Sequence, residues 1–265
     1  MMNENKLRGL LRTGKPSCAT RLSSTWPFMT ELVGCSGNFD YVEFLGEYAP
    51  FSQLDLENLA RAAELHDMGT MIKLDFQHRG YAAQRAISSG FQAINFTDHR
   101  TADDVRESVR MTMPETPEDG GCFGYPNRRY ISCTPYIDQM AHAARLREVV
   151  RCFMIEKKQA LDNIEAICQV PGVDMVQFGP SDFSMSCGHD KRDHLAACRA
   201  AERQMIEVAL RHGVQPRCEI HCAQDAAYYI ALGVKHFCLG DETDTLRKFL
   251  SGEGGAMRAL ADTLE

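Results

Sequence analysis

The sequence lacks an excess of positive charge, long apolar runs and an apolar leader segment. Its 265 residues include 29 Lys and Arg against 36 Asp and Glu, a formal net charge of −7, so no basic surface for nucleic acid is expected. No stretch reaches the roughly 18 to 20 consecutive apolar residues of a membrane-spanning helix, and the polar residues 1–6 do not resemble a signal peptide. We therefore expect a cytoplasmic protein that binds neither nucleic acid nor a membrane.

Cysteine pairs with CxxC spacing are also absent, although the chain has 11 cysteines. An odd number of cysteines scattered over a chain of this length does not indicate the dense disulfide framework of a small secreted protein. Several of them, such as Cys152 and Cys238, stand in apolar runs, where a thiol behaves as a small hydrophobic side chain. We interpret the cysteines as reduced core residues.

Short β-branched or aromatic runs alternate with amphipathic helices along the whole chain. Helix starts are marked by Ser52 with Asp55 and by Thr101 with Asp104, the pattern of a capping box. Eight strands that each lead into a helix predict one (β/α)8 barrel domain over residues 1–265. A doubly wound sheet is the alternative, but a glycine-rich dinucleotide fingerprint does not follow the first strand. The predicted strands are 17–21, 40–46, 70–75, 93–97, 149–156, 173–179, 216–222 and 235–240.

One connection is about twice the length of a single βα unit. It runs from Thr97 to Glu156 and contains a turn-rich stretch at 113–121, followed by a predicted extra helix at 135–145. Long insertions in such barrels commonly build or cover the active site. We therefore expect an insertion at about 112–148 near the active-site mouth.

Two acidic residues end or follow neighbouring predicted strands. Glu156 ends an apolar strand, and Asp182 follows the next strand one βα unit later. Because the active sites of these barrels lie at the carboxyl ends of the strands, both carboxylates are expected side by side. Two carboxylates without a Cys/His cluster suit a hard divalent cation such as Mg²⁺ or Mn²⁺. From the spacing alone, two solvated strand-end acids are the equal alternative.

Several motifs resemble the HpcH/HpaI aldolase family of metal-dependent pyruvate aldolases. The strongest likeness covers residues 154–188, including Met-Ile-Glu at 154–156 and Gly-Pro-Ser-Asp at 179–182. The opening segment 6–15 and the second-strand segments 38–42 and 46–51 are also similar. The resemblance covers nearly the whole chain and is weak only at about 112–148.

This resemblance implies a (β/α)8 barrel that assembles into homo-oligomers, trimers or hexamers, with the last helix exchanged between subunits. It implies cleavage or formation of a carbon–carbon bond in a 2-oxo acid, with a divalent cation stabilising a pyruvate enolate. Glu156 and Asp182 match the metal ligands. The backbone of Gly179, Pro180 and Ser181 matches the segment that holds the substrate carboxylate.

The chain departs from the family at the acid–base site. Tyr48 replaces the usual catalytic His, and Leu45 replaces the Asp that orients it. Lys73 replaces an Arg that contacts the 2-oxo acid, Met154 replaces a Gln, and Arg21 replaces a Trp. We predict catalytic roles for Tyr48 and Lys73, and substrate binding by Lys73 and Arg21.

Other roles for these residues stay open. Tyr48 could be a packing aromatic, Lys73 could form a Schiff base, and His99 or His221 could serve as a substitute base or have structural roles. The sequence thus predicts a metal-dependent lyase or aldolase acting on a small 2-oxo acid. The alternatives are a metal-assisted decarboxylase or hydrolase of a 2-oxo acid, or a relative that binds carboxylates without turnover. An apolar stripe in the last helix, at 255–264, predicts a subunit contact.

Overall fold

The computed structural model describes residues 4–126, 129–132 and 138–264. Eight parallel strands follow one another in chain order and close into a barrel, in which β8 pairs with β1. All eight predicted strands are present, and the predicted (β/α)8 barrel is confirmed. The strands are β1 (Ser17–Leu22), β2 (Tyr41–Phe44), β3 (Gly69–Leu74), β4 (Ala93–Phe96), β5 (Val150–Ile155), β6 (Met175–Phe178), β7 (Gln215–Ile220) and β8 (His236–Asp241).

Helices cover the outside of the barrel. Both predicted capping boxes are present, at Ser52 with Asp55 and at Thr101 with Asp104. These boxes satisfy the free amide groups at the helix starts and fix where the helices leave the strand ends. The helices are α1 (Lys6–Arg12), α2 (Pro27–Cys35), α3 (Gln53–Glu64), α4 (Arg79–Ser89), α5 (Ala102–Thr112), α6 (Arg129–Ser132), α7 (Gln139–Arg147), α8 (Lys158–Asp162), α9 (Ile164–Cys168), α10 (Pro180–Ser186), α11 (Leu195–Arg211), α12 (Ala226–Ala231) and α13 (Glu242–Ala261).

Three apolar clusters hold these layers together, and the two largest surround and fill the barrel. The larger core lies between the strands and the helices and contains residues such as Phe96, Phe153 and Met205. A smaller core fills the amino-terminal end of the barrel interior. All ten described cysteines are free thiols, but only five are buried, so the interpretation as core residues holds for half of them.

Helix α1 closes the amino-terminal end of the barrel. Leu7 is 2% exposed and belongs to the inner core. The Asn5 amide donates to the carbonyls of Gln92 and Glu148 at 2.8 Å each. Arg8 binds both carboxylate oxygens of Asp174, at 2.6 and 2.7 Å. These contacts leave the opposite end of the barrel as the open mouth.

The described parts of the insertion lie at the closed end, away from this mouth. Arg129 donates to a Glu64 oxygen at 2.5 Å and to the Ser89 carbonyl at 2.9 Å, and both acceptors end outer helices at the amino-terminal side. The reason is topological: α5 carries the chain back to that side before the insertion begins. For the described residues 112–126, 129–132 and 138–148, this corrects the placement near the mouth. The extra helix is present as α7, whereas residues 135–137 of its predicted span lie outside the described residues.

The last helix packs little of its surface. None of the residues of α13, all of which the structure describes, is buried. Leu246, Phe249, Leu250, Met257 and Leu260 are each about three-fifths exposed. Among the helices of the described ranges, none is long and apolar enough to cross a membrane.

Candidate active site

Glu156 stands at the centre of the open mouth. It follows β5 directly and is 2% exposed. The backbone N–H of Asp98, just after β4, donates to Glu156 Oε1 at 2.7 Å. Gly179 packs against the same carboxylate, and a Cβ at this glycine would lie 2.6 Å from Glu156 Cβ and 2.8 Å from Oε2. A side chain at position 179 would therefore displace the Glu156 carboxylate.

Asp182 lies in the first turn of α10, which begins at Pro180 directly after Gly179. The side chain of Asp182 is 38% exposed, and its Oδ1 is 3.3 Å from Lys157 Nζ. The same ammonium group is 2.5 Å from Asp98 Oδ1. Short connections thus bring Glu156, Lys157 and Asp182 to one edge of the barrel, as the spacing of the two acids predicted.

The electrostatic surroundings favour a protonated or cation-bound Glu156. The pKa of Glu156 is raised to about 7, mainly by burial and in part by the nearby carboxylates of Asp98 and Asp182. The Lys73 ammonium and the Asp98 N–H oppose this shift. A carboxyl group that is costly to ionise in isolation gains most from a bound positive charge.

These residues fit a hard divalent cation. Across residues 4–126, 129–132 and 138–264, no group of three or more His, Cys, Asp or Glu side chains is arranged as a complete metal site. Mg²⁺ characteristically binds one or two carboxylates and keeps its other positions for water and substrate. Glu156 and Asp182 match that donor set, and the missing side chain of Gly179 leaves room for Glu156 Oε2.

Lys73 and Tyr48 meet beside Glu156. Lys73 Nζ lies 2.7 Å from Glu47 Oε2 and donates to Tyr48 Oη at 2.7 Å. Lys73 is only 7% exposed, whereas Tyr48 is 63% exposed, and Lys73 Nζ also lies 4.6 Å from the centre of the Tyr48 ring. Residues 46–48 form the turn after β2, so the predicted neighbours converge through the pairing of β2 with β3.

Tyr48 and Lys73 are both protonated at neutral pH, so neither is available as a base there. Burial of its hydroxyl raises the pKa of Tyr48 to about 12, although Lys73 lowers it. Burial alone would lower the pKa of Lys73, but the Glu47 carboxylate and Tyr48 raise it above the ordinary value. Lys73 is therefore an ammonium ion and Tyr48 a neutral phenol near pH 7.

Arg21 belongs to a separate group of ion pairs across the mouth. It contacts Glu219 of β7 and lies 3.3 Å from Asp241 at the end of β8. Arg21 is paired with carboxylates of the chain itself, so binding of a substrate carboxylate requires a change of partners.

A buried polar layer, formed by Glu43, Asn95, Gln177 and Arg217, lies inside the barrel beneath the mouth. Arg217 Nη2 donates to Glu43 Oε2 at 2.8 Å, and Asn95 Nδ2 donates to Glu43 Oε1 at 2.8 Å. Arg217 also contacts Gln177, whose amide donates to Glu219 at 2.6 Å. Burial alone would raise the pKa of Glu43, but Arg217 and Asn95 hold it below its ordinary value.

Sequence reasoning missed this layer. Its members occupy inward strand positions where an apolar residue is the usual choice. The available signal was the alternation of side chains along a strand. Glu43 lies two positions before Leu45, and Arg217 lies two positions before Glu219, so the residues of each pair face the same side of the sheet. Asn95 Oδ1 finds no hydrogen-bond partner among the described residues.

The two histidines considered as substitute bases lie elsewhere. His99 is 1% exposed and bonded to the Thr97 carbonyl at 2.7 Å and to Ser108 Oγ at 2.6 Å. Burial lowers its pKa to about 4. His221 is exposed beyond the end of β7. The same strand presents Glu219 toward Arg21 and buries Cys218 in the outer core.

Fold and site together define a class of protein: a (β/α)8 barrel with a carboxylate-centred site at the carboxyl ends of its strands. The sequence profile of the HpcH/HpaI aldolase/citrate lyase family matches residues 22–240. The chain belongs to this family, and the resemblance inferred from the motifs is confirmed. The family and its aldolase relatives support an enzyme of the aldolase and lyase class.

Individual relatives are similar over most of their length. The 2-keto-3-deoxy-L-rhamnonate aldolase of Escherichia coli strain UMN026 is 28% identical over 261 residues, which is 95% of each chain. The HpcH/HpaI aldolase of Desulfitobacterium hafniense DCB-2 superposes with a TM-score of 0.85 at 20% identity, covering 96% of this chain and 97% of that one. The CitE protein of Mycobacterium tuberculosis, solved in complex with magnesium and acetoacetate, has a TM-score of 0.54 at 11% identity and 86% coverage of both chains.

Proposed function

We propose that this protein is a divalent-metal-dependent carbon–carbon lyase or aldolase that acts on a 2-oxo acid and has an altered acid–base site. The observation that carries the proposal is the convergence of Glu156 and Asp182 beside Gly179, whose missing side chain makes room for the Glu156 carboxylate. The E. coli aldolase relative, named for a 2-keto acid, and the neighbour solved with magnesium support the substrate class and the cation.

In this proposal Glu156 and Asp182 hold Mg²⁺ or Mn²⁺. The bound cation supplies positive charge where the enolate oxygen develops its negative charge. Lys73, fixed by Glu47 and Tyr48, provides an ammonium group for the substrate carboxylate. The segment Gly179, Pro180 and Ser181 lines the same edge and is assigned to carboxylate binding.

The acid–base chemistry differs from a His–Asp relay. The pKa of Tyr48 is about 12, and Leu45 carries no group that could orient an imidazole at position 48. Decarboxylation of a 2-oxo diacid produces an enolate without removing a proton from carbon, so this arrangement favours a decarboxylase as the second candidate. A relative that binds carboxylates without turnover is the remaining alternative.

The cation requirement is tested first. Dialysis against a chelator should abolish turnover of 2-oxo acids, and added Mg²⁺ or Mn²⁺ should restore it. Glu156→Gln and Asp182→Asn should each lose cation-dependent turnover while remaining folded. Glu165→Gln and Asp162→Asn, which change exposed helix carboxylates, are matched controls. Full activity after chelation, or activity of both site variants equal to the controls, would refute the proposal.

The reaction type is tested with two substrates. Pyruvate with an aldehyde reports aldol chemistry, and oxaloacetate reports decarboxylation. We expect slow proton exchange at the methyl group of pyruvate near pH 7. Tyr48→His alone should increase the rate of this exchange little, and the pair Leu45→Asp and Tyr48→His should increase it more. Rapid exchange in the wild type would show that another group handles the proton.

We further propose that the protein is a cytoplasmic homo-oligomer, a trimer or hexamer. The exposed apolar side chains of α13 support a contact with a second copy, because contiguous apolar surface of this kind is uncommon on monomers. Light scattering at micromolar concentration should give an oligomer, and a monomeric mass would contradict the assembly. Cell fractionation tests the location.

A further inference from the structure

Lys157 connects two acidic residues at the edge of the candidate metal site. Its ammonium group lies 2.5 Å from Asp98 Oδ1 and 3.3 Å from Asp182 Oδ1. Its side chain is only 13% exposed. We call this arrangement the Asp98–Lys157–Asp182 bridge.

The position of Asp98 is set by its backbone. Its φ of +62° lies in the left-handed region, which few residue types other than Gly, Asn and Asp adopt readily. This conformation lets the Asp98 N–H reach Glu156 while its carboxylate reaches Lys157. One residue therefore contacts both a candidate ligand and the lysine beside the other ligand.

Of the two contacts of Lys157, the one with Asp98 is the shorter. The ammonium is closer to Asp98, which is no candidate ligand, than to Asp182, which is one. A divalent cation at Asp182 is repelled by a positive charge a few ångströms away, and the repulsion is strong where the side chains are little hydrated. Asp98 provides Lys157 with a partner that it keeps when Asp182 turns to the cation.

We propose that Lys157 competes with the divalent cation for Asp182 and that Asp98 holds Lys157 away, so that together they set the affinity of the site. Lys157 is a positioning residue in this inference, since it acts through Asp182. The inference rests on the proposed metal-dependent function and extends it by assigning the residues that tune cation binding.

Two substitutions should change the affinity in opposite directions. Lys157→Met removes the competing charge and should tighten Mn²⁺ binding on the order of tenfold. Asp98→Asn tolerates the same backbone conformation but frees Lys157 to pair with Asp182, so it should weaken binding by about fivefold. In the Lys157→Met background, Asp98→Asn should change the affinity by less than about twofold, because its effect passes through the lysine.

The experiment measures Mn²⁺ binding to the full-length, chelator-treated protein by calorimetry and by the loss of the free Mn²⁺ electron paramagnetic resonance signal. Lys157→Arg should stay within about threefold of the wild type because it keeps the charge. Lys158→Met, which removes an exposed lysine paired with Asp162, is the control for a change of net charge. Circular dichroism verifies folding, and Lys157→Gln replaces Lys157→Met if the latter does not fold.

The outcomes separate this inference from the proposed function. If the wild type binds Mn²⁺, Glu156→Gln abolishes binding and Lys157→Met leaves the affinity unchanged or weaker, the inference fails and the metal site stands. An equal effect of Asp98→Asn with and without Lys157 would also overturn it. A wild type that binds no Mn²⁺ at millimolar concentration overturns both.

Discussion

The mouth of the barrel and the buried polar layer beneath it use the same chemistry at different depths. In the buried layer, the side chains of Arg217 and Glu43 are 0% and 1% exposed. In the mouth, the side chains of Lys73 and Glu47 are 9% and 17% exposed, and Asp182 is 38% exposed. Both regions pair a basic side chain with carboxylates, but only the charged side chains of the mouth are in reach of water or a ligand.

The difference shows which ion pairs are free to change partners. A fully buried pair cannot exchange its partner for water or a ligand, so loss of either charge leaves an uncompensated charge in a medium of low dielectric constant. A pair at the mouth can exchange one carboxylate for another, for a cation or for a substrate. From this difference in burial we expect Arg217 and Glu43 to act in stability, and we propose Lys73, Lys157 and Asp182 for binding.

The largest effect is expected in the buried layer. Arg217→Met should lower the free energy of unfolding by about 4 kcal/mol, because Glu43 is left charged and buried. Removing both charges, with Glu43→Leu added, should recover about half of this loss. Urea unfolding measures both values. If Arg217→Met were no less stable than the double variant with Glu43→Leu, the contrast between the buried layer and the mouth would be contradicted.

A smaller effect is expected from two buried histidines. Burial lowers the pKa values of His99 and His236 to about 4, below the ordinary 6.5. The unfolded chain thus binds more protons between pH 6.5 and 4, so stability is full above pH 6.5 and falls as the pH drops toward 4. Each histidine should lower the free energy of unfolding at pH 4.5 by about 2 kcal/mol relative to pH 7.

Urea unfolding at pH 7 and pH 4.5 tests the histidines. The wild type should lose free energy of unfolding between pH 7 and pH 4.5. In the variant with both His99→Asn and His236→Asn, this loss should be about 4 kcal/mol smaller than in the wild type. An unchanged pH dependence would assign the acid sensitivity to carboxylates instead.

At the mouth, Lys73→Met should mainly affect binding. We expect a rise in KM for 2-oxo acids of about tenfold or more, since one charge-assisted contact is worth at least about 1.4 kcal/mol. The melting temperature should change by about 2 °C or less, in contrast to Arg217→Met. Steady-state kinetics and calorimetry measure the two effects, with Lys158→Met as the exposed control. A large loss of stability with unchanged KM would make Lys73 a structural residue.

The smallest effect is expected for Tyr48→Phe. Since the pKa of Tyr48 is about 12 and its ring is exposed, the hydroxyl is neutral at pH 7 and serves as an acceptor for Lys73. We expect kcat/KM at pH 7 to fall by less than about threefold. A rise of pyruvate proton exchange at high pH that disappears in this variant would instead identify Tyr48 as the base. A fall of about a hundredfold at pH 7 would make its hydroxyl essential.

The fold was readable from the sequence because each strand is a short apolar run bounded by turn or capping residues. The capping boxes at Ser52 and Thr101 even set the helix starts correctly. The location of 112–148 was missed because composition does not tell on which side of the barrel an insertion falls. That depends on whether it precedes or follows the outer helix, here α5.

The convergence of the candidate residues was predictable where each of them stands at or just after a strand end. Glu156, Asp182, Lys73 and Tyr48 converge because parallel neighbouring strands end at the same edge. The ion pairs were not predictable, because the partners of Lys157 and Arg21 come from strands distant in sequence. Which carboxylate a lysine approaches depends on side-chain packing that no spacing rule contains.

Helix α1 has a consequence for the order in which the chain folds during synthesis. Asn5 and Arg8 are synthesised before their partners, which are Gln92, Glu148 and Asp174. The helix must therefore wait until the sixth strand is being made before its contacts exist. Because contacts this distant in sequence require long loops to close, we expect α1 to dock only after residue 174 has been made.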